Sequence, residues 1–198
     1  MFIDPMLPAA SGEPFDDDRY WFEPMIDGQR LQLIVRSGRT QLLTRHGNDV
    51  SRQYPELLQV PLKEAVDVVL DGEAAYIDPE SGKACFDILQ YRFRQRKLPA
   101  IREARQEYPL TYFIFDMLYC NGEDVRHYPL LERRAMLGAI MEDSPSIKLL
   151  NGMKHEGIAM HKMARRCGLE GVIGKEITGP YTSGRSESWI KVEVEEAM

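Results

Sequence analysis

With 198 residues, 43% of them hydrophobic and 28% charged, the chain has the material for one fully cored domain or two small ones, and not the composition of a disordered or fibrous protein. No stretch approaches the ~20 apolar residues of a membrane span, and the start Met1-Phe2-Ile3-Asp4-Pro5 lacks the basic and apolar regions of a signal peptide. A net charge of −6 excludes a domain that grips a nucleic acid backbone by overall charge, so any such contact needs a local patch or a further domain. The three cysteines, Cys85, Cys120 and Cys167, are widely spaced and form no C-x-x-C pair. That argues against a disulfide framework and a zinc site, fits a reducing cytoplasm, and predicts three small buried hydrophobes.

In chain order, the first ~20 residues are rich in Pro, Asp and Gly and predict an irregular lead-in. Residues 21–45 predict an antiparallel meander. Trp21-Phe22-Glu23 enters a strand that turns at Asp27-Gly28, Leu31, Leu33 and Val35 alternate with polar neighbours, and Ser37-Gly38 turns into Gln41–Arg45. Pro55 to Leu62 predicts a short helix, and residues 66–77 are the most β-like stretch. Phe86 to Arg105 has helical composition interrupted by Pro99. Leu110 to Tyr119 predicts a buried strand closed by Asn121-Gly122. After Pro129 the period changes: Leu130, Leu131, Arg134, Leu137 and Ile140 fall on one helical face. Ile158 to Cys167 predicts an amphipathic helix stopped by Gly168, followed by strands at Glu170–Lys175 and Trp189–Val194 around a turn-rich loop at 179–184. Helices and strands mix without regular β-α alternation, which predicts an α+β fold of largely antiparallel sheets.

The informative segment is Glu23-Pro24-Met25-Ile26-Asp27-Gly28-Gln29-Arg30, a K-x-D-G-x-R signature with methionine at the lysine position. Alone it reads as a hairpin turn. It is followed in order by Thr44-Arg45-His46-Gly47-Asn48, Leu70-Asp71-Gly72-Glu73, Phe113–Tyr119, Glu170-Gly171-Val172-Ile173-Gly174-Lys175 and Trp189-Ile190-Lys191-Val192-Glu193. This ordered set resembles the adenylation domain of ATP-dependent DNA ligases, and looks most like the short bacterial repair enzymes, from Pro5 to Glu193.

The resemblance implies an ATP-grasp-like nucleotidyltransferase domain over residues 1–198, with the nucleotide pocket between antiparallel sheets and an OB-fold domain following it in the relatives. It implies ATP and Mg²⁺ or Mn²⁺ as cofactors, nicked double-stranded DNA and repair proteins as partners, and a cytoplasmic location without membrane attachment. In such enzymes the motif lysine takes AMP from ATP and passes it to the 5′-phosphate of a nick, and the 3′-hydroxyl then displaces AMP. By the same resemblance the backbone at Glu23 and Pro24 reads the adenine edge and Phe115 stacks on the base. Asp27, Arg30 and Arg45 belong to the nucleotide pocket, with forked guanidinium donors for ribose or phosphate oxygens. Glu73 serves ribose or metal, Glu170 serves the metal, and Lys175 and Lys191 meet the α-phosphate.

Three departures stand out, the last being length, since the sequence stops within a few residues of the final motif and does not reach the expected OB-fold domain. Met25 occupies the nucleophile position, and a thioether has no proton to lose and forms no stable phosphoramidate. An introduced Lys→Met exchange and a natural loss both fit it. Glu193 stands where many relatives carry a second lysine. Taken without the resemblance, Phe115 alternates with Phe113 and Met117 as core. Lys175 with Glu176, and Lys191 with Glu193, read as solvated pairs, and Arg45–Asn48 reads as a turn. The histidines, His46, His127, His155 and His161, have no metal spacing. Arg92–Lys97 with Arg102 and Arg105 reads either as a phosphate-tracking patch or as a solvated helix face balanced by Glu103 and Glu107. Two alternative functions remain: a non-catalytic module binding nucleotide, DNA ends or a repair partner, and an RNA ligase or capping-type transferase.

Overall fold

The computed structural model describes residues 2–142 and 144–194. Eleven strands and four α-helices follow in the order β1 (Met6–Ser11), β2 (Asp17–Pro24), β3 (Gln29–Arg36), β4 (Arg39–Thr44), β5 (Val68–Ala75), α1 (Phe86–Arg94), α2 (Leu98–Glu107), β6 (Thr111–Cys120), β7 (Glu123–Asp124), α3 (Leu130–Ile140), β8 (Ile147–Leu149), β9 (Met153–His155), α4 (Gly157–Cys167), β10 (Gly171–Glu176) and β11 (Gly184–Glu193). They form two sheets. The first runs β1-β11-β10-β2-β9 and the second β4-β3-β5-β6-β7, with β8 on β6. Pairing is antiparallel except for β1 with β11 and β8 with β6. This is the α+β, largely antiparallel architecture that the sequence predicts.

Three apolar clusters define the layers. Phe22 and Val172 on the first sheet pack against Met160 and Ala164 of α4. Ile34, Val69, Phe115 and Leu118 meet Met6, Tyr181 and Trp189 between the two sheets. The largest cluster joins the far face of the second sheet, including Leu33, Leu70 and Ile114, to Leu89 of α1 and Leu137 of α3. Both faces of each sheet are therefore covered at least in part, which accounts for strands such as β6 reading as continuous apolar runs rather than as alternating ones.

Several sequence expectations are corrected. The lead-in is not irregular: β1 and the first half of β2 occupy it, with partners more than 130 residues away in β11, β10 and β9. Residues 21–45 are not one meander. Only β3 and β4 pair; β2 lies in the other sheet, so Asp27-Gly28 is the crossover between sheets rather than a hairpin turn. Gly28 has a steric reason there, because a Cβ would sit 2.4 Å from the Ala74 carbonyl oxygen. Pro55 to Leu62 shortens to a 3₁₀ turn at Pro55–Leu58. Pro99 does not interrupt a helix but sits in the first turn of α2, where its missing N–H costs nothing. The final strand is longer than expected and begins at Gly184. Cys167 is exposed, while Cys85 and Cys120 are half-buried against the main apolar cluster, so none of the three is a fully buried core residue. The turns at Ser37-Gly38 and Asn121-Gly122 do have the positive φ angles (49° and 73°, 46° and 96°) of tight hairpins.

Candidate active site

A cavity of about 270 Å³ opens between the two sheets. Its floor is the inner face of the first sheet, arranged in cross-strand rows. Glu23, Ile173 and Lys191 lie opposite one another, as do Trp21, Lys175 and Trp189 one step along. Met25 N–H donates to the Gly171 carbonyl at 2.9 Å and Gly171 pairs with Glu193, so Met25 and Glu193 flank Gly171. Arg30 from β3, Glu73 from β5 and Phe115 from β6 close the opposite wall. The cavity thus lies where strands of one sheet meet strands of the other; ladder register places most of the lining side chains, while Met25, Ile26 and Leu150 come from the segments just beyond β2 and β8.

Glu23 is buried and holds three donors. Trp21 Nε1 donates at 2.9 Å, Arg134 of α3 at 2.5 Å, and Lys175 Nζ at 2.5 Å. Lys175 is itself buried, with Nζ 4.2 Å from the Phe115 ring centre and 4.3 Å from that of Trp189. Burial lowers its pKa, opposed by the nearby Glu23 and Asp116 carboxylates. Arg134 also lies over the Trp21 ring at 4.6 Å and donates to the Phe115 and Leu150 carbonyls.

The opposite wall has a second network. Arg30 forms a two-pronged pair with Asp71, with Nε at 3.1 Å and Nη2 at 2.7 Å. Burial pulls the Arg30 pKa down, but Asp71 more than reverses this and the net shift is upward. The Tyr181 hydroxyl donates to Asp71 at 2.6 Å and accepts the Met6 N–H at 2.9 Å, so the loop after β10 is anchored in the core. Beside this pair, burial drives the Glu73 carboxyl up to about 8; Arg30 opposes the shift, and Asp71, Asp27 and Glu170 add to it. Lys191 is the most open of the lining cations, with 34% of its side chain exposed, and its amine lies 2.5 Å from Glu193.

The structure brings Glu23, Pro24, Met25, Arg30, Glu73, Phe115, Lys175 and Lys191 to one cavity. Asp27 stands on the crossover loop, half-buried, with its pKa raised by burial. Arg45 and Glu170 are exposed and outside the lining. Phe115 is both core and wall, and Lys175 is a buried ion pair rather than a surface one. Sequence reasoning misses Trp189, which lines the cavity, and Trp21 and Arg134, which hold Glu23 from behind it. Arg134 carries a visible signal, since a charged residue in the apolar stripe of α3 requires a buried partner.

The geometry can be compared with known proteins. The family model for the ATP dependent DNA ligase domain matches residues 9–193. The chain is 32% identical over 193 residues to the SPbeta prophage-derived DNA ligase-like protein LigB of Bacillus subtilis (strain 168), covering 97% of this chain and 67% of that protein. It is 35% identical over 174 residues to the multifunctional non-homologous end joining protein LigD of Pseudomonas aeruginosa, covering 86% of this chain and 20% of that one. A solved structure of mycobacterial DNA ligase D complexed with ATP and MES superposes with a TM-score of 0.75 at 29% identity, over 96% of this chain and 59% of that one. The chain therefore spans between a fifth and two thirds of these proteins. On this match, the chain belongs to the ATP-dependent DNA ligase domain family.

Proposed function

We propose that the chain is the nucleotide-binding adenylation domain of a cytoplasmic DNA-repair ligase and that it holds the adenylate without accepting it covalently. The observation that carries this reading is Met25, lining the same cavity as Phe115, Glu73, Lys175 and Lys191. Phe115 would stack on the adenine ring, and the backbone at Glu23 and Pro24 would meet the base edge. Arg30 and Glu73 would take the ribose, and Lys175 and Lys191 would face the α-phosphate as compact charges. Asp27, Arg45 and Glu170 enter as rim residues around the phosphates and metal.

Glu73, whose carboxyl is kept protonated by burial near neighbouring acids, would have to release that proton to take a divalent cation. The described residues contain no cluster of three or more metal-ligating side chains. Mg²⁺ or Mn²⁺ is commonly held by one or two protein carboxylates plus substrate phosphates. When bound, the ion would offset phosphate charge. In this reading Glu73 would hold it from the cavity wall and Glu170 from outside the lining. Nicked duplex DNA is the polymer partner this reading implies, and the exposed basic side chains of α1 and α2 are the best-placed contact. No helix of the described residues is long and apolar enough to cross a membrane.

The reading is tested by calorimetric titration with AMP and ATP in Mg²⁺. Phe115→Ala should weaken binding by about 5- to 150-fold, the equivalent of ~1–3 kcal/mol of base–aromatic stacking. Equal affinity in both proteins would remove the pocket from the proposal.

A further inference from the structure

We infer that the groove between α1 and the Asp27-Gly28 crossover is a separate nucleic-acid site, one that takes an unpaired base of a single strand rather than the paired bases of a duplex.

One helix face builds the groove. Phe86, Leu89, Gln90 and Phe93 stand three or four residues apart and so share a side of α1. With Arg94 they line a cavity of about 390 Å³ whose other wall is Gly28 and Gln29. Leu89 is buried beneath it, while Phe86 is 40% exposed. An aromatic ring left this open above an apolar floor offers a face on which any base can stack. Within a duplex the base faces are already covered by their neighbours, so only an unpaired base can use it.

The polar groups of the groove suit the same ligand. The Tyr54 hydroxyl donates to Gln29 Oε1 at 2.6 Å, and Arg94 Nη2 donates to Gln90 Oε1 at 3.1 Å. Each carboxamide is left with its NH₂ group to donate, which matches the ring nitrogens and carbonyl oxygens on a base edge. Phosphates find partners in the link that follows. Arg94, Arg96 and Lys97 are exposed and have no carboxylate partner among the described residues. Arg96 also lies over the Phe93 ring at 5.1 Å. α2 then begins with no side-chain cap and no acidic residue in its first turn, so no carboxylate competes there for its free N–H groups. Stacking faces interleaved with cations along a groove are the pattern of single-strand recognition. An acidic peptide would engage the cations and leave the Phe86 face and the two amides unused.

Fluorescence anisotropy of the whole chain with a labelled oligothymidylate of about ten residues tests this, beside an abasic strand of the same length and a blunt duplex of equal phosphate number. The oligothymidylate should bind about tenfold or more tightly than either. Phe86→Ala should weaken it by about 5- to 150-fold, the range for loss of one stacked base, without changing the salt slope. Phe86→Trp should keep the affinity, and Arg94→Ala should flatten the slope by about 0.7 for each phosphate lost. Equal affinity for the abasic strand overturns the inference, as does a Phe86→Ala protein that binds like the parent. Either result leaves phosphates alone as what this face holds. Displacement of the strand by polyglutamate of equal charge also overturns it, in favour of an acidic peptide.

Discussion

Glu73 shows how a single side chain in this cavity couples charge to stability. It projects from β5 beside the Arg30–Asp71 pair, and burial moves its carboxyl from 4.5 to about 8. Between those values the folded protein keeps a proton that the unfolded chain has released. Stability must therefore fall as pH rises from 4.5 to about 8, and level off above. Replacing Glu73 by Gln removes the titration and keeps the shape. Thermal melts across this range should show the melting temperature of the parent declining relative to that of the Gln variant, with the two curves running parallel at higher pH. Curves parallel throughout would mean that Glu73 titrates normally. Under the proposed function the same proton would have to leave for a divalent cation to take the carboxylate, so Mg²⁺ affinity should rise with pH until Glu73 is ionised.

At the scale of elements, α3 does more than cover the second sheet. Arg133 is fully buried and forms a two-pronged pair with Asp116 of β6, at 2.7 and 2.8 Å, while donating to the Tyr128 and Gly179 carbonyls. The next residue, Arg134, pairs with Glu23 of the first sheet. One helix thus ties the central strand of the second sheet to the floor of the first. Truncating Arg133 to Ala would leave Asp116 a buried, unpaired carboxylate, so urea unfolding should show a loss of about 3–5 kcal/mol; a loss under about 1 kcal/mol would mean the pair is dispensable. These connections mark the boundary of what the sequence reveals. The β3–β4 hairpin, α4 with its Gly168 stop and the buried β6 are local patterns, and the sequence predicts them because their periods and turns lie within a few residues. The assignment of β2 to a sheet built with β9, β10 and β11 is non-local, and three consecutive aspartates at its start obscure it. Lys175 and Arg92 fail for a related reason. A cation paired across many residues looks like a solvated one until its partner is placed, here Glu23 and Glu56.

Over the whole molecule, charge is distributed so that an acidic chain still offers one basic face. Arg92, which the sequence groups with its neighbours, is buried against Glu56 and belongs to the core. Arg94, Arg96, Lys97, Arg102 and Arg105 are exposed on α1, α2 and the link between them, and none of them forms an ion pair among the described residues, although Asp87, Glu103 and Glu107 lie on the same helices. Exposed Phe86 and Tyr91 lie alongside, and a groove joins Gly28 and Gln29 of the motif loop to Phe86, Phe93 and Arg94. Under the proposed function this face, with its groove at the Gly28–Gln29 end of the motif, is the candidate surface for the duplex flanking a nick. Phosphate neutralisation releases counterions, so each arginine that meets a phosphate contributes about 0.9 to the slope of log affinity against log salt. Changing Arg94, Arg96 and Arg102 together to Ala should weaken binding to nicked duplex and flatten that slope by about 0.9 for each phosphate no longer neutralised. AMP affinity should stay unchanged, because none of the three lines the cavity. An unaltered slope with unaltered affinity would assign these basic side chains to solubility and place the DNA-binding surface elsewhere on the chain.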